Sequence, residues 1–258
     1  MKKNIIIFLF LIHIPNVTCI PNKEIPSSLY NEYTLSNKIP VQYKYRDDSY
    51  SSDKPRIFAK SQIDDLINKA HKKTPKYYGA TDTWLYQAFD KYPIAQKKVA
   101  ILGSVTPWYE SIVLAYRGMP TTIEYNKIIS KDKRVRVMTV DEYDKNPEQF
   151  DVLVSISSFE HDGLGRYGDP QDPIGDLKAM QKAKKMLKQN GLLYLTVPIG
   201  KDVLVWNLHR VYGPLRLPLL LDGWTIVDSF GFNPEKDFKQ DAWENHKIHQ
   251  PILVLRPN

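Results

Sequence analysis

The chain has a single cysteine, Cys19, and no apolar run long enough to span a bilayer. The purest apolar stretch, Ile5 to Ile14, is interrupted only by His13. It is about half of the roughly 20 residues that a membrane helix needs. Several signatures are also missing. There is no G-x-G-x-x-G, which counts against a dinucleotide dehydrogenase, and no Lys-Ser/Thr after a glycine loop, which counts against a P-loop. No Gly-x-Ser-x-Gly elbow marks a serine hydrolase. No Asp-x-Asp supports a metal-dependent glycosyltransferase. Repeats, low-complexity tracts and blocks of Lys/Arg are absent too, so the net charge of +7 reads as a solvated surface that can help attract acidic glycans or phosphates.

What is present begins with a leader. Met1-Lys2-Lys3-Asn4 is basic, the apolar run follows, and Val17-Thr-Cys19 offers the compact residues of a cleavage site. That order is the n-region, h-region and cleavage site of a secretory signal, predicted over residues 1–19; a buried strand and a short uncleaved anchor are the alternatives. Cleavage removes Cys19, and with it any disulfide, together with the Asn16-Val-Thr18 sequon. A domain of this length stands on its core without disulfides. The predicted address is secreted or lumenal, with no stable membrane span after cleavage and no nucleic-acid partner.

Residues 20–60 read as an extended arm, rich in Pro, Ser, Asn and charge, whose Tyr30, Tyr33, Tyr43, Tyr45 and Tyr50 can pack along the main domain. Residues 61–98 read as a helical extension. Ser61 can cap a helix to about Lys73, with Ile63, Leu66, Ile67 and Ala70 as its apolar stripe. A second helix is predicted from Asp82 to Lys91. These helices either cover a sheet edge or form a lid.

From Val99 onward, short apolar runs alternate with helical patterns. Val99–Leu102, Thr121–Glu124, Val135–Val140, Asp151–Ile156, Leu192–Val197, Trp224–Phe230 and Ile252–Leu255 are predicted strands. Helices are predicted at Pro107–Arg117, Pro173–Gln189 and Leu215–Leu221, with Thr106 as N-cap of the first and Asn190-Gly191 closing the second. This alternation predicts an α/β fold with a mostly parallel, doubly wound sheet covered by helices on both faces. Such a sheet meets its ligand at the carboxyl ends of its strands.

Three features sit at those ends. Gly103 lets a ligand approach the backbone after the first strand, although a tight turn alone explains one glycine. Glu124 ends the second strand about 20 residues later, where an acid can hold both ribose hydroxyls of an adenosine cofactor. The fourth strand runs into a glycine-rich loop holding Glu160, His161, Asp162, Arg166 and Asp169. His161 titrates near neutrality and can serve as general base with Glu160 orienting it; Ser157-x-x-Glu160 read as a capping box is the structural alternative. After the fifth strand, His209 or Tyr212 can orient an acceptor hydroxyl and Arg210 can hold an anion, or His209 caps a turn and Tyr212 belongs to the core. Asp241, Glu244, His246 and His249 fit no metal-ligand spacing and read as a surface loop.

Phe150-Asp-Val-Leu-Val-Ser155 followed by Phe159-Glu160-His161 resembles the fourth motif of class I S-adenosylmethionine-dependent methyltransferases. Lys185–Pro198, with its Asn190-Gly191 turn and terminal Val-Pro, and Asp222-Gly-Trp-Thr-Ile-Val227 are similar to later motifs of that superfamily. More specifically, the segments 103–110, 158–170 and 206–213 resemble the nematode-type domain of unknown function 268 family, over roughly Lys76 to the C-terminus. The resemblance implies a methyltransferase-like Rossmann domain over residues 99–258 and S-adenosylmethionine as cofactor. It places Gly103 and Ser104 at the methionine end, Glu124 on the ribose and Thr139-Val140 beside the adenine, with Ser155 also near the cofactor. Thr139 stands where methyltransferases usually carry Asp, and Gly103 stands where they carry two or three glycines.

The combined expectation is methyl transfer to a hydroxyl of a small molecule or glycan in the secretory pathway. His161, Glu160 and His209 are its catalytic candidates, and Arg166, Asp169, Arg210 and Tyr212 its substrate-binding candidates. The alternative is a non-enzymatic binding protein on the same scaffold.

Overall fold

The computed structural model describes residues 22–48, 54–241 and 248–258. The predicted leader with Cys19 and its sequon, Tyr50, and Glu244 and His246 lie outside the described residues.

The arm is built into the body. After α1 (Tyr30–Tyr33) it forms β1 (Val41–Tyr43) and β2 (Arg56–Phe58). Tyr33 is buried, meets Trp206 edge-on at 5.1 Å between ring centres and donates its hydroxyl to the Gly163 carbonyl at 2.5 Å. Tyr43 and Tyr45 stay exposed. Helices α2 (Lys60–His71) and α3 (Ala80–Lys91) follow. The α2 stripe buries Ile63, Leu66 and Ala70, each large aliphatic contributing roughly 1.5–3 kcal/mol by leaving water.

The sheet elements then alternate with helices: β3 (Lys98–Leu102), α4 (Trp108–Ala115), β4 (Met119–Glu124), β5 (Ile128–Ser130), β6 (Arg136–Thr139), α5 (Val140–Lys145) and β7 (Phe150–Ile156). A 3-10 turn at Phe159–His161 leads through the glycine-rich loop to α6 (Gly175–Met186), β8 (Leu187–Thr196), β9 (Val203–Trp206) and β10 (His209–Val211). The chain ends with α7 (Arg216–Leu220), β11 (Trp224–Phe230), α8 (Pro234–Asp237) and β12 (Ile252–Pro257).

Seven strands form the central sheet in the order β11-β12-β8-β7-β3-β4-β6. β8, β7, β3, β4 and β6 run parallel, β12 is antiparallel to β8, and β11 is antiparallel to β12. Because side chains alternate along a strand, Val99, Ile101, Val152, Val154 and Val254 pack against α2, α3 and α4 on one face. Ala100, Leu102, Leu153, Leu253 and Leu255 pack against α6 and α7 on the other. This is the predicted α/β architecture with both faces covered. Sequence order reverses between β3 and β7, which makes the crevice above them the topological switch point.

Two local expectations shift. Helix α6 stops at Met186, and Leu187–Gln189 join β8 because apolar Leu187 pairs with Phe150 across a bulge. Asn190 takes its left-handed φ of 64° inside that strand instead of capping the helix. Helix α4 starts one residue late, with Pro107 in the cap position and the Thr106 carbonyl accepting from Trp108 N at 2.7 Å.

Two smaller pairings bind the arm. β1 lies parallel to β9, which β10 flanks, and β2 lies parallel to β5. Among the described residues, no helix is long and apolar enough to cross a membrane.

Candidate active site

A cleft of about 540 Å³ opens at the carboxyl ends of β3, β4 and β7, within the range of small-molecule sites. Its floor is the loop 103–106, one wall is Glu124–Asn126 with Val140, and the other is Ser157–Phe159 with His161–Gly163. Tyr77 and Tyr78, from the turn before α3, and Asp169, Lys178 and Lys182 complete the rim.

Gly103 has φ +80°, and its amide donates to the Ile123 carbonyl at 3.0 Å. A β-carbon there would overlap the Ser158 hydroxyl, so only glycine lets the β3 and β7 loops approach this closely. Glu124 Oε2 accepts the Ser104 amide at 2.8 Å and Oε1 accepts the Asn126 amide at 3.3 Å. Burial pushes this carboxyl up, opposed first by the Ser104 amide. Each oxygen keeps a second acceptor site. Beneath the loop, fully buried Glu110 accepts the Thr122 hydroxyl at 2.7 Å, and burial raises its pKa as well.

At the end of β7, Ser157 holds φ +52°. Its hydroxyl donates to Glu160 Oε1 at 2.5 Å and accepts from Gln250 Nε2 at 2.8 Å. This side-chain pair stands in place of the capping box: no side chain caps the 3-10 turn. Glu160 is 1% exposed, and burial pushes it up to about 7. His161 Nδ1 meets the Leu208 carbonyl at 2.5 Å. A carbonyl only accepts, so Nδ1 carries the proton and Nε2 the lone pair. The Leu208 carbonyl therefore orients the ring, while Glu160 Oε1 stands 3.8 Å from Nε2. Burial, aided by the Arg166 charge, drives His161 down to about 3, so the imidazole is neutral at physiological pH.

Of the cofactor candidates, Gly103, Ser104, Glu124 and Val140 line the cleft. Thr139 does not. Its hydroxyl and amide are taken by Glu142 in a capping box that starts α5. Ser155 lies fully buried in β7, below the cleft. His161 and Asp169 line the cleft, the latter with its carboxylate accepting the amides of Gly163, Gly165 and Tyr167.

The remaining candidates point elsewhere. Arg166 pairs with Asp48 of the arm at 2.8 Å. His209 is buried in β10, its ring centre 6.3 Å from that of His161, with burial lowering it to about 4. Arg210 is buried and donates to the carbonyls of Asp162 at 2.6 Å and Asp172 at 3.4 Å. Tyr212 gives its hydroxyl to Asp176 at 2.9 Å, and Arg216 binds the same carboxylate at 2.9 and 2.6 Å. Arg210 and Tyr212 thus brace the glycine-rich loop and α6 from behind and do not reach the cleft. Of the late acidic and histidine cluster, Asp241 pairs with Lys201 and His249 with Asp237.

Sequence reasoning missed Asp82. Buried at the start of α3, it accepts the amides of Lys76 and Tyr77, the Trp108 indole N–H and the Tyr109 hydroxyl. Its only sequence signal was an acid in the first turn of a helix, which the macrodipole also explains.

Residues 96–256 match the family model described as Caenorhabditis protein of unknown function, DUF268. The chain belongs to this family. No curated protein matches it. Among solved structures, this DUF268 chain is similar to the 1,6-didemethyltoxoflavin-N1-methyltransferase of Burkholderia thailandensis, solved with 1,6-didemethyltoxoflavin and S-adenosylhomocysteine. The two share 15% identity over 85% of this chain and 94% of that one, with a TM-score of 0.54. An S-adenosylmethionine-dependent methyltransferase from Clostridium acetobutylicum matches at 9% identity over 77% and 98%, with a TM-score of 0.45. The fold of this chain is a Rossmann-like methyltransferase fold.

Proposed function

We propose that the protein uses S-adenosylmethionine to methylate a hydroxyl of a small molecule or glycan. One observation carries this reading: Gly103, Glu124 and His161, drawn from three strand ends, line a single cleft at the switch point. The residues present fit the cofactor. The two open acceptor sites of the Glu124 carboxylate suit a ribose diol, the close approach at Gly103 and Ser104 suits the methionine end, and Val140 offers an apolar face to the adenine. The cofactor supplies a methyl group made electrophilic by a sulfonium.

The protein then has to align the acceptor and take its proton. His161, neutral with Nε2 as acceptor, orients an incoming hydroxyl. Tyr77 and Tyr78 give the acceptor side an aromatic wall. The leader supports a secretory setting for this chemistry, and the acceptor is then a secreted or lumenal hydroxyl compound.

The bond from the Ser104 amide to Glu124 favours a second reading, a binding protein that has closed its cofactor loop. Thermal melting with S-adenosylmethionine and S-adenosylhomocysteine separates the two. Stabilisation of about 2.7 kcal/mol at a hundredfold excess over Kd, followed by transfer of labelled methyl to a glycan or phenol panel, is expected for the enzyme. No stabilisation at millimolar cofactor assigns the binding role instead.

A further inference from the structure

Ser157 is where the strain of the site is concentrated. It ends β7 in a left-handed conformation that residues with a side chain rarely adopt, and such outliers cluster where a group must be presented. What it presents is a hydroxyl on the cleft wall, hydrogen bonded to a carboxyl behind that wall. Gln250 Nε2 donates to the Ser157 oxygen at 2.8 Å, which commits the serine proton to Glu160 Oε1. Tyr78, which also lines the cleft, brings its phenol to the same hydroxyl.

Glu160 is an expensive residue to bury. Its Oε2 has no hydrogen-bond partner among the described residues. The guanidiniums nearest to it are committed elsewhere: Arg166 to Asp48, and Arg210 to the carbonyls of Asp162 and Asp172. His161, Asp162, Tyr78, Tyr167 and Tyr212 are the other titratable groups that face it. A carboxyl so placed gains little from the fold in its charged form, and a cleft is where such a group acts as a base. His161 is a poor rival, because burial holds it neutral and at about 3 it releases a proton at once.

We propose that Ser157 and Glu160 are the proton relay of this site, with Ser157 Oγ meeting the acceptor hydroxyl and Glu160 receiving the proton. The inference rests on the methyl-transfer reading. As the acceptor oxygen bonds to the methyl carbon, the sulfonium S–CH3 bond breaks and sulfur keeps the electron pair. The acceptor O–H bond breaks, its proton goes to Ser157 Oγ, and the serine's own proton passes to Glu160 Oε1. Glu160 ends as the neutral acid and returns the proton through Ser157 to water after the product leaves. The relay selects an acceptor with a proton to lose, a hydroxyl.

Two measurements on the full chain test this. Infrared titration of the unliganded protein needs no turnover. The expected result is a neutral-carboxyl band that disappears with a midpoint near pH 7, is absent in Glu160→Gln and shifts upward in Ser157→Ala, which removes a donor to the carboxylate. A band unchanged in Glu160→Gln overturns the relay while leaving methyl transfer intact. The second measurement is the pH profile of kcat, with methyl-labelled S-adenosylmethionine and the hydroxyl of the glycan and phenol panel that takes the label. The wild type should rise through pH 7 to a plateau, and Ser157→Ala and Glu160→Gln should each lose about 100-fold in kcat with KM little changed. The pH 7 limb should vanish in Glu160→Gln. Wild-type kcat in Ser157→Ala, with unaltered melting to show that it folds, overturns the relay. Absence of both cofactor stabilisation and label transfer overturns the methyl-transfer reading, and the relay with it.

Discussion

Asp82 accepts the indole N–H of Trp108 at 3.1 Å, and through it a helix ahead of the Rossmann unit is locked to the first helix inside it. The same carboxylate takes the amides of Lys76 and Tyr77. The turn that carries Tyr77 and Tyr78 and the helix that follows the 103–106 loop are therefore held by one side chain.

Replacing Asp82 by Ala strands the Trp108 and Tyr109 donors in the core. An unpaired buried donor costs roughly 1–3 kcal/mol, so a loss of about 3 kcal/mol is expected in urea denaturation, together with weaker S-adenosylhomocysteine binding. A loss below about 1 kcal/mol would show that water replaces the carboxylate.

Two glycines separate conformational strain from crowding. Gly79 and Gly103 both have positive φ, but a β-carbon at Gly79 meets open space whereas one at Gly103 overlaps Ser158. Gly79→Ala should cost about 1–3 kcal/mol from the strained backbone alone, at φ 52° and ψ −102°. Gly103→Ala should cost more and weaken cofactor binding at least tenfold, read by melting and by calorimetric titration. Equal effects at the two sites would contradict the close approach of the β3 and β7 loops.

Asp176 and Arg166 are both ion-paired, with opposite expectations. Asp176→Ala leaves the buried Arg216 without its carboxylate and should destabilise by about 3–5 kcal/mol. Arg166→Ala breaks a partly exposed pair with Asp48 and should cost about 1 kcal/mol or less. Denaturation midpoints compare the two directly.

Two buried histidines oppose folding in acid. His161 and His209 are held down to about 3 and about 4, whereas an unfolded histidine titrates near 6.5. Between those values the unfolded chain binds more protons at these two sites, so their contribution to stability falls as pH drops from about 6.5 toward 4. Glu160 works the other way. Its folded value of about 7 lies above its unfolded 4.5, so the folded state holds the extra proton and this group loses stability as pH rises through that window. Urea midpoints should show a shallower acid loss in His209→Gln and a steeper one in Glu160→Gln. Identical slopes in all three proteins would remove burial as the cause.

The sheet was legible because Val99–Leu102 and Asp151–Ile156 are apolar runs that only a doubly covered strand tolerates, and Glu124 announced itself by its spacing from Gly103. The end of α6 was not. Leu187 continues the helical stripe in sequence, and only its pairing with Phe150, set by the fold, turns it into a strand. Arg210 and Tyr212 looked like ligand-facing polar groups after a strand because their partners, the carbonyls of Asp162 and Asp172 and the Asp176 carboxylate, lie more than 30 residues away in sequence. Ser157 and Glu160 were visible as a spacing, but the same spacing also describes a helix cap. The partner that tells them apart, Gln250, is remote in the chain.

The parallel pairing of Val41–Tyr43 with Leu204–Trp206 has a consequence for how the molecule comes into being. During synthesis β1 leaves the ribosome about 160 residues before the strand it pairs with, and such distant pairings form late and slowly. Until β9 is made β1 has no strand partner, whereas β2 can pair with β5 much earlier. Docking the arm brings Asp48 to Arg166 and Tyr33 to Gly163, so one of the first segments made fastens the glycine-rich loop over the cleft. A nascent chain stalled short of β9 would hold an assembled β3–β4 half with β1 unpaired.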